Sequence, residues 1–410
     1  MKKVYILISV VFLSVISVFA QEEDQKFGVE FNGLVKNDVF FDTRQTLAAR
    51  EGHFLLWPSP ENIDIDGHDI NSRSSFNILA VQSRLSGAIT GPDAFGAKTS
   101  GMIEGDFFAQ ANDNINLFRL RHAFVQLDWE KTSLLFGQYW NPLFVTSCFP
   151  GTVSFNTGAP IQSFSRDPQV RLTHSRGNIS FIAAALSHRD YPSYGEDGPS
   201  SEYLRNSGMP DMHFQLHYNT EKFVTGAGLA YKKIVPRLET QWGREADEEV
   251  KGLSAIAFAK LRVNPLTIKV QALSGQNIAD AMNISGFAVE DIEFETDDRT
   301  YLPLRNLSLW TDIHTNGENF QAGLFAGYTQ NRGTADEISN ADFIYGLGTD
   351  IESLFRISPR LVFNSGKVRF GIEGEYTEAT FGEDYDEYAV PVNTHSTGNL
   401  RILFSAYYFF

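Results

Sequence analysis

The sequence predicts an all-β fold: a sixteen-stranded antiparallel transmembrane β-barrel with long extracellular loops and short periplasmic turns. Three observations predict it. Apolar and polar residues alternate with period two along nearly the whole chain, the connections between these segments are by turns brief and long, and past residue 20 no apolar run approaches the ~18 residues that a spanning helix needs. The 410 residues are 42% hydrophobic and 13% aromatic with a single cysteine, so the chain can bury a large core and is no disulfide scaffold. Its 34 basic and 50 acidic side chains give a formal charge of -16. Without a basic excess to meet phosphate, nucleic acid is not an expected partner.

Residues 1–20 read as a cleaved signal peptide, because Lys2 and Lys3 precede an apolar stretch and Val18-Phe19-Ala20 places small residues where a signal peptidase cuts. Residues 21–26 then form a short periplasmic N-terminal segment, and residues 27–410 the outer-membrane barrel domain. In the first strand Phe27, Val29, Phe31, Gly33, Val35, Val39 and Phe41 share one face while Glu30, Asn32, Lys36 and Asp38 share the other. Fourteen segments of similar length follow: 73–90, 98–111, 117–129, 133–140, 168–176, 178–188, 211–219, 222–234, 251–262, 265–275, 302–314, 318–330, 343–363 and 367–380. The last strand alternates Leu400, Ile402, Phe404, Ala406, Tyr408 and Phe410 with Asn399, Arg401 and Ser405. Brief turns such as Arg176-Gly177-Asn178 and Asn264-Pro265 separate mostly much longer loops. A soluble sandwich or propeller explains the alternation of side chains but not this sorting of loops by length. Trp129, Trp140 and the aromatic cluster 407–410 suit girdles at the two membrane interfaces.

If the apolar faces meet lipid, parity turns Lys36, Arg84, Arg119, Arg121, Arg171, Lys260, Arg262, Lys269, Arg356, Arg360 and Arg369 inward. The inward acids are fewer: Glu30, Asp38, Glu104, Asp106, Glu352, Glu373 and Glu375. The expected pore lining is therefore Arg84, Glu104, Asp106, Arg119, Arg121, Arg171, Lys269, Arg356, Arg360, Arg369 and Glu373. So many inward charges imply water inside, and a basic excess favours anions. The competing reading pairs Glu104 and Asp106 with Arg84, Arg119 and Arg121 across neighbouring strands. One strand breaks parity. With Arg119 and Arg121 inward, His122, Gln126 and Asp128 would face lipid, unless a bulge near His122 shifts the register or another subunit covers that face.

The runs Gly101-Met102-Ile103-Glu104-Gly105-Asp106-Phe107-Phe108, Leu120-Arg121-His122-Ala123-Phe124-Val125-Gln126-Leu127 and Phe136-Gly137-Gln138-Tyr139-Trp140-Asn141-Pro142 resemble the DcaP-like porins, with Ser83-Arg84-Leu85 and Ser358-Pro359-Arg360-Leu361 in the same vein. The resemblance is firmest over residues 73–176. It implies a homotrimer of sixteen-stranded barrels in the outer membrane of a Gram-negative bacterium, in contact with lipid and lipopolysaccharide, that passes small polar or anionic, dicarboxylate-like solutes. Members with a helical N-terminal extension differ from this chain, in which residues 21–26 leave no room for one. In general porins the third long loop folds inward, so residues 141–167 become the expected constriction loop, with Arg166 and Asp167 as its charged residues.

No zinc-protease, paired-cysteine, nucleophile-elbow or phosphate-loop motif occurs, so no cofactor, metal site or catalytic residue is expected. Asp64-Ile65-Asp66-Gly67-His68-Asp69 has half the spacing of a calcium loop without its closing Glu, and reads as an acidic surface turn. The nine histidines show no clustered spacing. Passive diffusion of polar solutes is the expected function; a barrel for hydrophobic substrates, a barrel enzyme and a structural or adhesive barrel are the alternatives.

Overall fold

The computed structural model describes residues 27–410, and in it one antiparallel sheet closes on itself. The expected signal peptide and residues 21–26 lie outside the described residues. The wall consists of β1 (Gly28–Asp42), β2 (Arg84–Ala94), β3 (Ala97–Asp106), β4 (Arg119–Asp128), β5 (Thr132–Trp140), β6 (Arg166–Arg176), β7 (Ile179–Leu186) and β8 (Asp211–Asn219). It continues with β9 (Phe223–Ile234), β10 (Val250–Val263), β11 (Leu266–Gln276), β12 (Arg305–Thr315), β13 (Phe320–Asn331), β14 (Ile351–Ser365), β15 (Val368–Tyr385) and β16 (Pro391–Phe409). Each strand pairs with its neighbours in sequence, and β1 closes the barrel on β16 from Leu34 opposite Phe409 to Asp42 opposite Arg401. Turns of two to four residues join strands at the end that carries both termini, while the opposite end holds the long connections.

Alternation explains the wall. On β16 Leu400, Ile402 and Phe404 point out of the barrel while Arg401 and Ser405 are buried inside it. Leu216, Leu229 and Leu253 continue this outward apolar belt, each more than half exposed. Left in water such a belt would forfeit about 25 cal/mol per Å² of burial, a penalty that lipid removes. Among the described residues no helix is long and apolar enough to cross a membrane; the outward apolar belt is carried by strands.

Three departures from the sequence expectation have local causes. The segment 73–90 breaks in two, since a turn closed by the Ser83 N–H on the Ala80 carbonyl separates β2 from a short strand, Ser75–Leu79, that continues it along the outer half of β1. The segment 343–363 breaks at Gly348, whose φ of +59° turns the chain, so that Ile344–Leu347 joins an outer sheet and only Ile351 onward enters the wall. On β4 the register against β3 shifts between Glu104 and Gly105, leaving Arg121 as the extra residue. That bulge buries Arg121 and His122 inside together and turns Val125 outward, which resolves the broken parity of this strand.

The apolar core lies inside the barrel, because the long loops fold into its outer half. Phe54 and Trp57 from a hairpin of Thr46–Ala49 with Phe54–Pro58 pack there with Phe108, Phe144, Phe155, Ile161 and Phe164. Cys148 is buried in the same cluster as a free thiol. Above the rim, Ser285–Glu293 pairs with Asp298–Pro303 and Ile344–Leu347 in a separate three-stranded sheet.

Candidate functional site

Residues 141–165, between β5 and β6, run along the inside of the wall. Their backbone is fastened to one strand after another: Pro142 O takes the Gln215 amide at 2.8 Å, Phe149 O the Lys269 ammonium at 2.9 Å, and Gly151 N donates to Asp312 at 3.1 Å. The Glu373 carboxylate accepts the N–H groups of Val153 at 2.6 Å and Ser154 at 3.1 Å. Arg356, fully buried, donates to Ala159 O and Leu56 O at 2.5 Å each and so ties this segment to the inserted hairpin. Hydrogen bonds to charged groups contribute about 1.5–3 kcal/mol apiece, so the segment is held against the wall from β8 round to β15.

On the other side of the segment the lumen is open. A cavity of about 440 Å³ is bounded on the wall by Arg84, Glu104, Arg121 and Tyr139, and on the inserted segment by Phe144, Phe149 and Phe155. Here charges pair across neighbouring strands: Arg121 reaches Glu104 at 2.7 Å and Asp106 at 3.0 Å, Arg119 reaches Asp106 at 2.9 Å, and Arg84 stands 3.6 Å from Glu104. The Arg121 guanidinium also lies 5.9 Å from the Trp140 ring centroid, within cation–π range. Toward the short-turn end, Lys269, His314 and Gln321 line two further spaces, one of about 200 Å³ with Arg360 and Arg369 and one of about 340 Å³ with Lys260 and Arg262. Phe149 borders the first cavity, and the Lys269 ammonium stands 5.5 Å from its ring centroid.

All eleven residues expected in the lining lie on the inner side of the wall, but they do different things there. Arg84, Glu104, Arg121, Lys269, Arg360 and Arg369 border open space. Asp106, Arg119, Arg356 and Glu373 do not: loops cover them, and their charge is spent on ion pairs or on loop backbone. Arg171 lies beside Tyr139 and donates to Trp140 O at 2.6 Å. Arg166 and Asp167, expected in the loop, open strand β6 opposite Trp140 and Tyr139. Arg166 is bound to Asp190 at 2.6 Å and Asp167 accepts from Asn141 at 3.1 Å, so both brace the loop base.

The aromatic side of the cavity, Phe144, Phe149 and Phe155, was not among the expected site residues, although residues 141–167 hold four phenylalanines. The inserted hairpin was missed altogether; the run Phe54-Leu55-Leu56-Trp57 was its signal, since four apolar residues have no reason to stand in a solvated loop. The acidic turn is self-contained: Asp64 accepts the N–H groups of Asp66 and His68 at 2.9 Å each.

A closed antiparallel barrel with its third loop folded inward is the architecture of outer-membrane porins. Solved structures with this fold include the outer membrane channel DcaP of Acinetobacter baumannii, 15% identical with a TM-score of 0.71, the alignment covering 96% of this chain and 100% of that one. An anion-selective porin from Comamonas acidovorans is 10% identical with a TM-score of 0.56, covering 94% of this chain and 100% of its own. OmpT of Vibrio cholerae in a trimer form matches with the same figures. At these identities the likeness is one of fold. No protein-family model and no curated protein matches the chain.

Proposed function

We propose that the protein is an outer-membrane porin through which small hydrophilic solutes, preferentially anionic and of dicarboxylate type, diffuse passively. One observation carries this reading: among the described residues, three open spaces inside the barrel are bordered by Arg84, Arg121, Lys260, Arg262, Lys269, Arg360 and Arg369 against the acids Glu104 and Glu221. The whole chain is strongly acidic, so this local reversal of sign belongs to the lumen and raises the concentration of anions there. The inserted segment narrows the path and presents Phe149 and Phe155 opposite Arg84 and Arg121, so a solute passes between an apolar and a cationic wall. Arg166 and Asp167 hold the base of that constriction. The apolar belt is covered by lipid and, at the outer leaflet, lipopolysaccharide, and the barrel assembles as a homotrimer, in line with the trimer form of a protein of like fold.

The apolar core in the outer half of the lumen favours a second reading, a structural barrel closed to solutes. Swelling of liposomes carrying the purified protein separates the two. A four-carbon dicarboxylate should enter faster than a neutral polyol of similar size, and a diamine slowest. Equal rates would remove the anion preference, and no swelling with any solute would favour the closed barrel.

A further inference from the structure

We infer that the outer mouth holds a binding site for a divalent transition cation, formed by His188, Asp211 and Asp280. His188 follows β7, Asp211 opens β8, and Asp280 sits in a one-turn 3-10 helix, Ala279–Ala281, after β11. All three side chains are buried, and one ligand atom from each lies within 4.8 Å of the others. His188 Nε2 is 3.1 Å from Asp280 Oδ2 and 3.3 Å from Asp211 Oδ2. A tetrahedral ion with bonds of ~2.0–2.1 Å has ligands ~3.3–3.4 Å apart, close to both distances from His188.

The hydrogen bonding leaves a place for a cation. Asp211 Oδ1 is buried with no hydrogen-bond donor, and the imidazole of His213, 1% exposed, has no partner on either nitrogen although its Nε2 faces that oxygen at 3.1 Å. Ser193 Oγ stands 3.4 Å from His188 Nδ1; with the proton on Nδ1, the Nε2 lone pair faces the two carboxylates. Lys232 donates to the other Asp280 oxygen and to Asn277 O. Asp167 approaches from β6, taking the N–H of Arg189 next to His188. Asp211 and Asp280 thus bring two buried carboxylates to His188 beside one ammonium, and a divalent ion ligated there offsets their charge. The mixed imidazole and carboxylate set suits Zn²⁺ and its neighbours better than Ca²⁺ or Mg²⁺, which take oxygen ligands. Bound there, the ion clasps the connections 187–210 and 277–304 to the wall.

The full protein, purified in detergent, stripped with chelator and titrated with Zn²⁺ by calorimetry, should bind one ion per chain and unfold at a higher temperature when loaded. His188→Ala and Asp280→Asn should weaken binding by more than about tenfold, while Asp64→Ala, in the exposed acidic turn, should not. Absence of saturable binding, or binding that both site variants retain, would overturn the site. If the variants do not fold, judged by heat-modifiable gel mobility, zinc-edge absorption of the loaded wild type decides: imidazole and carboxylate ligands support the site, and oxygen ligands alone sink it.

Discussion

Glu373 shows how one inward charge can serve the lumen without lining it. Its two oxygens hold the N–H groups of Val153 and Ser154, and an orphaned buried donor costs about 1–3 kcal/mol, so Glu373→Ala should loosen the inserted segment and leave the barrel folded. Single-channel recording should show larger and noisier steps; unchanged steps would mean that the segment does not limit the current. Arg84 is the opposite case. Its side chain is 22% exposed and pairs with Glu104 only at 3.6 Å, so Arg84→Glu exchanges a loosely paired positive charge for a negative one at the cavity wall. Anion selectivity should fall, and an unmoved reversal potential would place the cavity off the ion path. Strand parity made the side of each of these residues legible. It could not separate Arg84, which borders space, from Arg356, which is buried, because the loops that cover Arg356 come from residues 56 and 159.

At the scale of elements, the approach of β4 to β5 depends on Gly137. Its φ is +133°, and a Cβ there would stand 2.2 Å from Ala123 O. Backbone strain of this kind costs about 1–3 kcal/mol, so Gly137→Ala should lower the urea midpoint of unfolding, and an unchanged midpoint would show that the strands can part freely. Outside the membrane, Asp297 knits the outer loops by accepting from Gln241 N at 2.9 Å, Arg237 at 2.5 Å and Arg299 at 3.0 Å. Burial alone would raise its carboxyl pKa, but the Gln241 N–H and the two guanidinium groups hold it below the usual value. A carboxyl with a depressed folded pKa stabilises fully above its unfolded value of about 3.9 and loses that contribution as pH falls through the lower folded one. Amide exchange over residues 294–302, corrected for intrinsic rate, should therefore speed up below about pH 4 in the wild type and show no such step in Asp297→Asn. The wall elements were legible because period two and loop length are local signals. The inward folding of the loops was not, since Phe54 and Phe164 meet at 5.3 Å only after the barrel has closed around them.

For the whole molecule, an acidic chain encloses open spaces bordered mainly by cations, inside a wall whose outward face is apolar. In the proposed function, lipid, water and an anionic solute would each meet a surface of matching chemistry. The most direct test of passage with anion preference is the current through the purified protein in a planar bilayer under a salt gradient. Stable steps that reverse at an anion-selective potential are the predicted result. A cation-selective reversal, or silence from protein shown to be folded and inserted, would contradict it.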